Sequence, residues 1–254
     1  MKEDDTLEAE LRVLRSARIL FAHHSVGRDL LGGMQALAAG TREGAIRTLT
    51  LEEARRAPGP GLVDVSGGRN TDPGSKLEFF ERILEANPDL APDVALLKLC
   101  YVDIDPSTDV EALFARYERT LRELARRFPS TRFGHVTTPL TRRPTDVRSR
   151  VKRLLGRMVW EDESNVRRHA YNERLREAFA ADPIFDLAAV ESTRPDGSRE
   201  TFEREGGVHP ALVPAYTHDG GHLNTLGARV AGRAMIRFLA RTLESIACGD
   251  ARSC

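Results

Sequence analysis

Two kinds of segment alternate along most of the chain. Short apolar runs predict strands at residues 17–23, 47–51, 93–100, 131–137 and 184–187. Longer segments with apolar residues at helical spacing predict helices at residues 29–39, 76–86, 110–127, 165–181 and 226–246. Because strands that alternate with helices build a mostly parallel sheet covered on both faces, the pattern predicts an α/β fold.

Three segments depart from this alternation. Residues 58–74 are rich in proline and glycine and predict a long loop, and residues 194–218 predict a loop that lines the entrance to a site. Residues 141–164 form an arginine-rich insert that contains an amphipathic helix. The apolar residues of that helix are Val147, Val151, Leu154, Leu155 and Met158. We expect a solvated helix face here, and the alternative is a basic lid that admits anionic substrates.

Length and composition predict one domain, residues 1–247, followed by a flexible tail at residues 248–254. The chain has 254 residues, 41% of them hydrophobic, which suffices for one large core. Its 38 basic and 38 acidic residues cancel, so the overall charge favours neither nucleic acid nor a membrane as a partner. No apolar run approaches the roughly 20 residues of a membrane span, and the first residues lack the features of a secretory signal. We therefore expect a cytoplasmic protein.

The cysteines and the glycine-rich segments give no sign of a metal or an organic cofactor. Cys100 lies in a predicted buried strand, and Cys248 and Cys254 lie in the predicted tail. This distribution supports neither a disulfide framework nor a cysteine-based metal site. The chain also lacks a Walker-type loop and a dinucleotide-binding fingerprint, so we expect no cofactor.

Two short segments carry the candidate chemistry. Ser25 follows a predicted strand and precedes a predicted helix, so its hydroxyl points outward from the sheet edge beside the positive end of the helix. Near the other end of the chain, Asp219 stands three residues before His222. An imidazole can take the serine proton and a carboxylate can orient that imidazole, which predicts a catalytic triad. The structural alternatives are a helix cap at Ser25 and a loop that stabilises the last helix.

The order of the elements and four local segments resemble the SGNH, or GDSL-type, hydrolase superfamily. The resemblance covers about residues 19–239. The matching segments are His23-His24-Ser25-Val26, in the His-His-Ser form of a divergent branch; Gly74, with Gly67 and Gly68 as weaker candidates; Cys100-Tyr101-Val102-Asp103; and Asp219 to Gly227. The resemblance implies a flavodoxin-like three-layer α/β/α sandwich with a mostly parallel sheet. It also implies hydrolysis of a small-molecule or carbohydrate ester, such as an O-acetyl group on a sugar.

The resemblance assigns roles to particular residues. Ser25 would be the nucleophile, His222 the base and Asp219 the orienting carboxylate, while the backbone amides of Ser25 and Gly74 would form the oxyanion hole. Val102 stands where the family has an asparagine that donates to the oxyanion. Losing one such donor typically costs about 2.7–4 kcal/mol, so another group would have to replace it. The candidates are His24, Asn70 and Tyr101, in no order of preference.

Further residues are expected near the site. They are Lys98, Asp103, Tyr216 and His218. Two of them also have structural interpretations, since a lysine in a buried strand needs a partner and Asp103 could accept hydrogen bonds from loop amides.

Two other functional classes are compatible with the same residues. A metal enzyme could use His23, His24, His218, Asp219 and His222 as its ligand set. His218 and His222 have the spacing of one helical face, but the two glycines between them disfavour a helix. A binding module on a hydrolase fold would also fit the altered first segment and the missing asparagine.

Overall fold

The computed structural model describes residues 3–250. The strands in that range are β1 (Arg18–Ala22), β2 (Thr48–Leu49), β3 (Gly61–Val65), β4 (Val94–Leu97), β5 (Arg132–Val136), β6 (Ile184–Phe185), β7 (Thr201–Arg204) and β8 (Gly207–Pro210). The α-helices are α1 (Glu3–Arg15), α2 (Val26–Ala39), α3 (Leu51–Arg56), α4 (Pro73–Ala86), α5 (Val110–Arg127), α6 (Val147–Leu154), α7 (Trp160–Ala178), α8 (Leu187–Glu191) and α9 (Thr225–Asp250). A 3₁₀ turn at Tyr101–Asp103 follows β4.

Six of the strands form a parallel sheet in the order β2-β3-β1-β4-β5-β6. β1 lies in the middle, where Phe21 pairs with Asp64 of β3 on one side and with Leu96 of β4 on the other. Parallel strands run in one direction, so the segments that leave β3, β1 and β4 are neighbours at one edge of the sheet. Ligands of open α/β sheets bind at this edge.

The sheet separates two apolar cores. Side chains alternate along β1, so that Ile19 and Phe21 join one core while Leu20 and Ala22 join the other. The first core is completed by residues of α1, α2, α8 and α9, and the second by residues of α3, α4, α5 and α7. The predicted three-layer α/β/α sandwich is confirmed.

α2 and α9 pack with almost no space between their backbones. A Cβ added at Gly33 of α2 would lie 1.8 Å from the carbonyl oxygen of Ala228 in α9. A Cβ at Gly232 would likewise lie 2.6 Å from the backbone of α2, at Gly33 and Met34. The contact brings the start of α9, and the turn that precedes it, beside the first turns of α2.

Several elements differ from the sequence prediction. The predicted loop at residues 58–74 contains β3, which escaped notice because Asp64 interrupts its short apolar run. The predicted loop at residues 194–218 contains the antiparallel β7-β8 hairpin. α1 was not predicted, because charged residues separate the leucines that it buries in the first core.

Two helix boundaries also differ from the sequence prediction. α7 begins at Trp160, within the predicted insert, and α9 continues through the start of the predicted tail to Asp250. Residues 251–254 of that tail lie outside the described residues. Across the described range, no helix combines the length and apolar character needed to cross a membrane.

Candidate active site

Ser25 lies at the junction of β1 and α2 in a strained backbone conformation. Its φ is 35° and its ψ is -95°, and positive φ values are uncommon for residues with a side chain. Its carbonyl oxygen accepts the N–H groups of Arg28 (2.7 Å) and Asp29 (3.2 Å) and so starts the helix. Its hydroxyl makes no capping bond to the described residues, whereas Thr50 and Asp109 cap their helices through their side chains. Helix capping therefore does not account for this hydroxyl.

Asp219 and His222 form a hydrogen-bonded pair in the turn before α9. His222 Nδ1 lies 2.6 Å from Asp219 Oδ2, so Nδ1 carries a proton and Nε2 is left as an acceptor. Asp219 Oδ1 accepts the backbone N–H groups of Gly221 (2.9 Å) and His222 (2.8 Å). Partial burial would raise the pKa of Asp219, but these hydrogen bonds outweigh it and hold that pKa well below its usual range. The carboxylate is therefore ionised and orients the imidazole.

Asp29 joins the serine segment to the histidine segment. It lies one helical turn after Ser25, and its Oδ2 accepts the backbone N–H of Leu223 at 3.0 Å. Leu223 directly follows His222. The first turn of α2 and the turn before α9 are thus held at the same edge of the sheet.

Tyr101 forms a wall beside His222. The two rings meet edge to face with their centroids 5.7 Å apart. A Cβ added at Gly221 would lie 2.6 Å from Tyr101 Cζ, so only glycine fits against this ring. Arg168 Nε donates to the carbonyl oxygen of Tyr101 at 2.9 Å and holds the 3₁₀ turn in place. Burial, followed by the charge of Asp219, raises the pKa of Tyr101, so the phenol is protonated at neutral pH.

His24 anchors the loop that follows β3. Its Nε2 donates to the carbonyl oxygen of Gly67 at 2.8 Å, and its Nδ1 accepts the hydroxyl of Ser66 at 3.1 Å. Burial lowers the pKa of His24, which fits a neutral ring with one donor and one acceptor nitrogen. Because both nitrogens have protein partners, His24 has no hydrogen bond to spare for an oxyanion.

A buried ion pair connects the same loop to the turn after β4. Lys76 Nζ lies 2.6 Å from Asp103 Oδ2, and the two side chains are 1% and 0% exposed. Asp103 also accepts the N–H groups of Thr71 (3.0 Å) and Cys100 (2.7 Å). Lys76 Nζ donates in addition to Asn70 Oδ1 at 3.0 Å. Asp103 therefore holds the loop after β3 and the turn after β4 together.

The candidate oxyanion glycines lie in different surroundings. Gly74 is in the first turn of α4 and faces α5, where a Cβ would lie 2.2 Å from Arg116 Nη1. No hydrogen bond between described residues links Gly74 to the Ser25 junction. Gly67, in contrast, is bonded to His24, the neighbour of Ser25 in the chain.

The other residues expected near the site occupy varied positions. Lys98 is fully buried, donates to a backbone carbonyl at 3.1 Å, and has its pKa lowered by burial. The Tyr216 hydroxyl donates to the carbonyl oxygen of Thr193 at 2.9 Å. His218 is exposed, with its Nε2 3.9 Å from Asp219 Oδ2. Lys98 and Tyr216 are thus engaged with the backbone, and His218 lies at the rim.

The ligand set of the metal alternative is dispersed. His23 Nε2 lies 2.9 Å from Asp64 Oδ1, and both nitrogens of His24 are engaged in the loop after β3. In the part of the chain that the structure describes, no group of three or more histidine, cysteine, aspartate or glutamate residues could hold a metal ion.

Sequence reasoning missed two acidic residues of this region. Asp29 could have been found, because residues four apart share a helix face and Ser25 lies four positions earlier. Glu191, in α8, is 1% exposed; its Oε2 accepts the N–H of Leu140 at 2.7 Å, while Oε1 has no partner among the described residues. Burial raises the pKa of Glu191 to about 8. Nothing in the local sequence marks this residue, because the fold alone buries it.

Comparisons with known proteins support the fold. No protein-family model and no curated protein sequence matches the chain. Among solved structures, the chain is similar to the periplasmic domain of a lipopolysaccharide acetyltransferase from Salmonella ser. Paratyphi A, at 10% identity and a TM-score of 0.50, covering 94% of this chain and 89% of that one. It is also similar to a protein of the G-D-S-L family from Desulfitobacterium hafniense (11% identity, TM-score 0.47, 87% and 99% covered). A third similar structure is a psychrotrophic esterase from Pseudoalteromonas sp., at 11% identity and a TM-score of 0.44, covering 89% of this chain and 99% of that one.

At these identities the likeness is one of fold. The parallel sheet flanked by helices is the fold that the resemblance to SGNH hydrolases implied, so the predicted fold is confirmed.

Proposed function

We propose that the protein hydrolyses a carboxylic ester through Ser25, His222 and Asp219. One observation carries the proposal: a strained serine with an uncommitted hydroxyl lies at the sheet edge where an Asp-oriented histidine is tied to the same helix. Strained residues cluster at functional sites because the surrounding structure must hold them there. The site is closed by the Tyr101 ring on one side and is half-exposed at His222.

The reaction follows from these positions. His222 Nε2 accepts the hydroxyl proton of Ser25 as Oγ attacks the ester carbonyl carbon, and Asp219 stabilises the resulting imidazolium. The tetrahedral intermediate then collapses as the imidazolium returns the proton to the departing alkoxide. Water, activated in turn by His222, attacks the acyl-serine and releases the carboxylic acid and the free serine.

The oxyanion needs donors that are fixed before the reaction begins. The backbone N–H of Ser25 lies at the positive end of α2 and can supply one of them. For the second we propose the N–H of Gly67 in place of that of Gly74. The hydrogen bond from His24 fixes Gly67 beside the serine junction, whereas Gly74 faces Arg116 on α5.

For the third donor we propose Asn70. It would take over the role of the family's asparagine, whose position is occupied by Val102 in this chain. The loop after β3 is bonded at Gly67 to His24, after β1, and at Thr71 to Asp103, after β4. Because β1 lies between β3 and β4, we expect the intervening residues to pass the carboxyl end of β1, close to Ser25. Lys76 holds the amide oxygen of Asn70, which leaves its NH₂ group to donate.

The experiment is hydrolysis of 4-nitrophenyl acetate by the wild type and by Ser25→Ala, each with and without a chelator. We expect Ser25→Ala to lower kcat/KM by at least about 10⁴-fold, with no effect of the chelator. Ser130→Ala, at an exposed serine in a turn, is the matched control and is expected to keep full activity. Activity that survives in Ser25→Ala, or that is lost with the chelator, would contradict the proposal.

The natural substrate class is a separate question within this proposal. We propose a small acyl ester, such as an O-acetyl group on a sugar, since Tyr101 and Gly221 leave little room beside His222. Rates on nitrophenyl esters of increasing acyl length test this: acetate is expected to exceed octanoate in kcat/KM, and the reverse order would contradict a small acyl site.

A further inference from the structure

The insert exposes an apolar surface that is unlike the rest of the molecule. Six of the eight large apolar residues that are exposed in the described part of the chain lie between residues 147 and 160. They are Val147 (76% exposed), Val151 (46%), Leu154 (86%), Leu155 (62%), Met158 (49%) and Trp160 (51%), and together they form the 147–160 surface. Exposed apolar side chains that gather in one segment, instead of being scattered singly, mark a candidate binding region.

α6 turns its apolar side outward and its polar side toward the protein. Residues in a helix are rotated by about 100° each, so Val147, Val151 and Leu154 share one side and Arg153 lies on the opposite one. Arg153 donates to both oxygens of Asp162, at 2.6 Å and 3.0 Å, and to the carbonyl oxygen of Pro144 at 2.8 Å. These contacts orient the helix, so its exposed apolar side is a built feature.

Cations border the apolar side. They are Arg148, Arg150 and Arg157, and none of them has an acidic partner within residues 3–250. Lys152 lies with Arg153 on the polar side of the helix. On the helical wheel, Arg148 and Arg150 lie on the two flanks of the apolar stripe. Two acidic groups nearby are already engaged, since Asp146 caps α6 and Asp162 binds Arg143 and Arg153. Glu161, next to Trp160, forms no ion pair among the described residues. The surface therefore has an apolar centre and a positive rim.

We propose that the 147–160 surface docks the protein on an anionic lipid bilayer. A surface with leucine and tryptophan at its centre and arginine at its border fits the boundary between acyl chains and anionic headgroups. A second copy of the chain is disfavoured as the occupant, because a symmetric contact would bring the positive rims together. A nucleic acid would use the cations but would leave the apolar centre in water.

The insert that carries this surface is connected to the candidate active site. The backbone N–H of Arg142, at the start of the insert, donates to the carbonyl oxygen of Gly220 at 2.8 Å, two residues before His222. Docking would place the candidate active site beside the bilayer. The balanced overall charge argued against a membrane partner, but a total charge says nothing about a local surface of this kind.

The test is co-sedimentation of the full chain with phosphatidylglycerol vesicles and, in parallel, with phosphatidylcholine vesicles. We expect binding to the anionic vesicles that weakens at high salt, and little binding to the neutral ones. Leu154→Ser/Leu155→Ser should lower the partition coefficient by at least about tenfold. Arg148→Gln/Arg150→Gln should lower it by about thirtyfold at low salt.

Matched controls are an exposed valine and two exposed arginines elsewhere on the molecule. Val208→Ser and Arg119→Gln/Arg241→Gln are expected to bind as the wild type does. Absence of binding to phosphatidylglycerol vesicles overturns the proposal. So does binding that Leu154→Ser/Leu155→Ser retains, which indicates a polyanion site, or a dimer in solution that this variant dissociates. Binding is measured without turnover, so the result does not depend on whether the protein hydrolyses esters.

Discussion

In most proteins charged side chains are exposed and large apolar side chains are buried. The candidate active site and the 147–160 surface depart from this rule in opposite ways. Around the site, charged groups such as Lys76 and Asp103 are buried, and they bond to each other and to loop amides. On the 147–160 surface, Leu154 and Leu155 face water. The first arrangement buries charge, which is costly, and thereby fixes the geometry of the loops around the site. The second exposes apolar side chains, which fits contact with a partner outside the molecule.

This difference can be tested first at the buried ion pair. Lys76→Met leaves the Asp103 carboxylate buried without its cation, and we expect the free energy of unfolding to fall by about 3–5 kcal/mol. Arg174→Met is the matched control, because it breaks an exposed ion pair with Glu111 (49% and 68% exposed). The control should cost no more than about 1 kcal/mol. Urea denaturation of both variants decides, and equal costs would show that the pair does not hold the loops.

Asn70 tests whether those loops are fixed for catalysis. We expect Asn70→Ala to lower kcat on 4-nitrophenyl acetate by about 10²–10³-fold, as loss of one oxyanion donor does. Asn70→Asp keeps the shape but removes the NH₂ donor, so it should be no more active. The neighbouring Arg69→Ala, at an exposed arginine, is the control. Full activity in Asn70→Ala would remove this residue from the proposed oxyanion hole.

The sequence was informative where chemistry and chain order coincide. Ser25 after an apolar run, and Asp219 three residues before His222, are local patterns that can be read without a structure. The alternation of strands and helices predicted the layers of the fold for the same reason, since each apolar run is long enough to be recognised. Among the six strands of the parallel sheet, only β3 was missed, because Asp64 interrupts its apolar run. The reason for an aspartate there is visible only in the fold, where Asp64 pairs with His23.

Contacts between distant residues could not be predicted in this way. The sequence favoured Gly74 over Gly67, because its position before a helix is a local signal, whereas the hydrogen bond from His24 to Gly67 exists only in the folded chain. The apolar stripe of α6 was predicted as well, but periodicity cannot tell which way such a stripe faces. That direction depends on the contacts between Arg153 and Asp162.

Glu191 is another buried ionisable group in this region, and it makes the stability of the fold depend on pH. Burial raises its pKa to about 8, so the folded protein keeps a proton that the unfolded chain loses above its ordinary pKa of 4.5. The stability linked to this group is present below pH 4.5 and is lost as the pH rises toward 8, by about 1.4 kcal/mol per unit. Glu191→Gln cannot ionise, so relative to the wild type its free energy of unfolding should increase from pH 5 to pH 8.

Urea denaturation at several pH values measures that difference. Glu177→Gln, at an exposed glutamate of α7, is the control and should follow the wild type across the range. A constant difference between Glu191→Gln and the wild type would mean that Glu191 is ionised in the folded protein throughout. The buried charge would then be compensated by its neighbours Lys98 and Arg168.

The smallest expected effect is at the 147–160 surface and is the most direct test of what that surface is for. Leu154→Ser/Leu155→Ser removes apolar groups that are 86% and 62% exposed, so we expect the free energy of unfolding to change by no more than about 0.5 kcal/mol. Leu124→Ala, at a fully buried leucine of α5, should cost about 2–5 kcal/mol in the same measurement. If the double variant also costs more than about 1 kcal/mol, these leucines stabilise the chain itself. If it does not, folding gives no reason for them, and the reason lies in what the surface contacts.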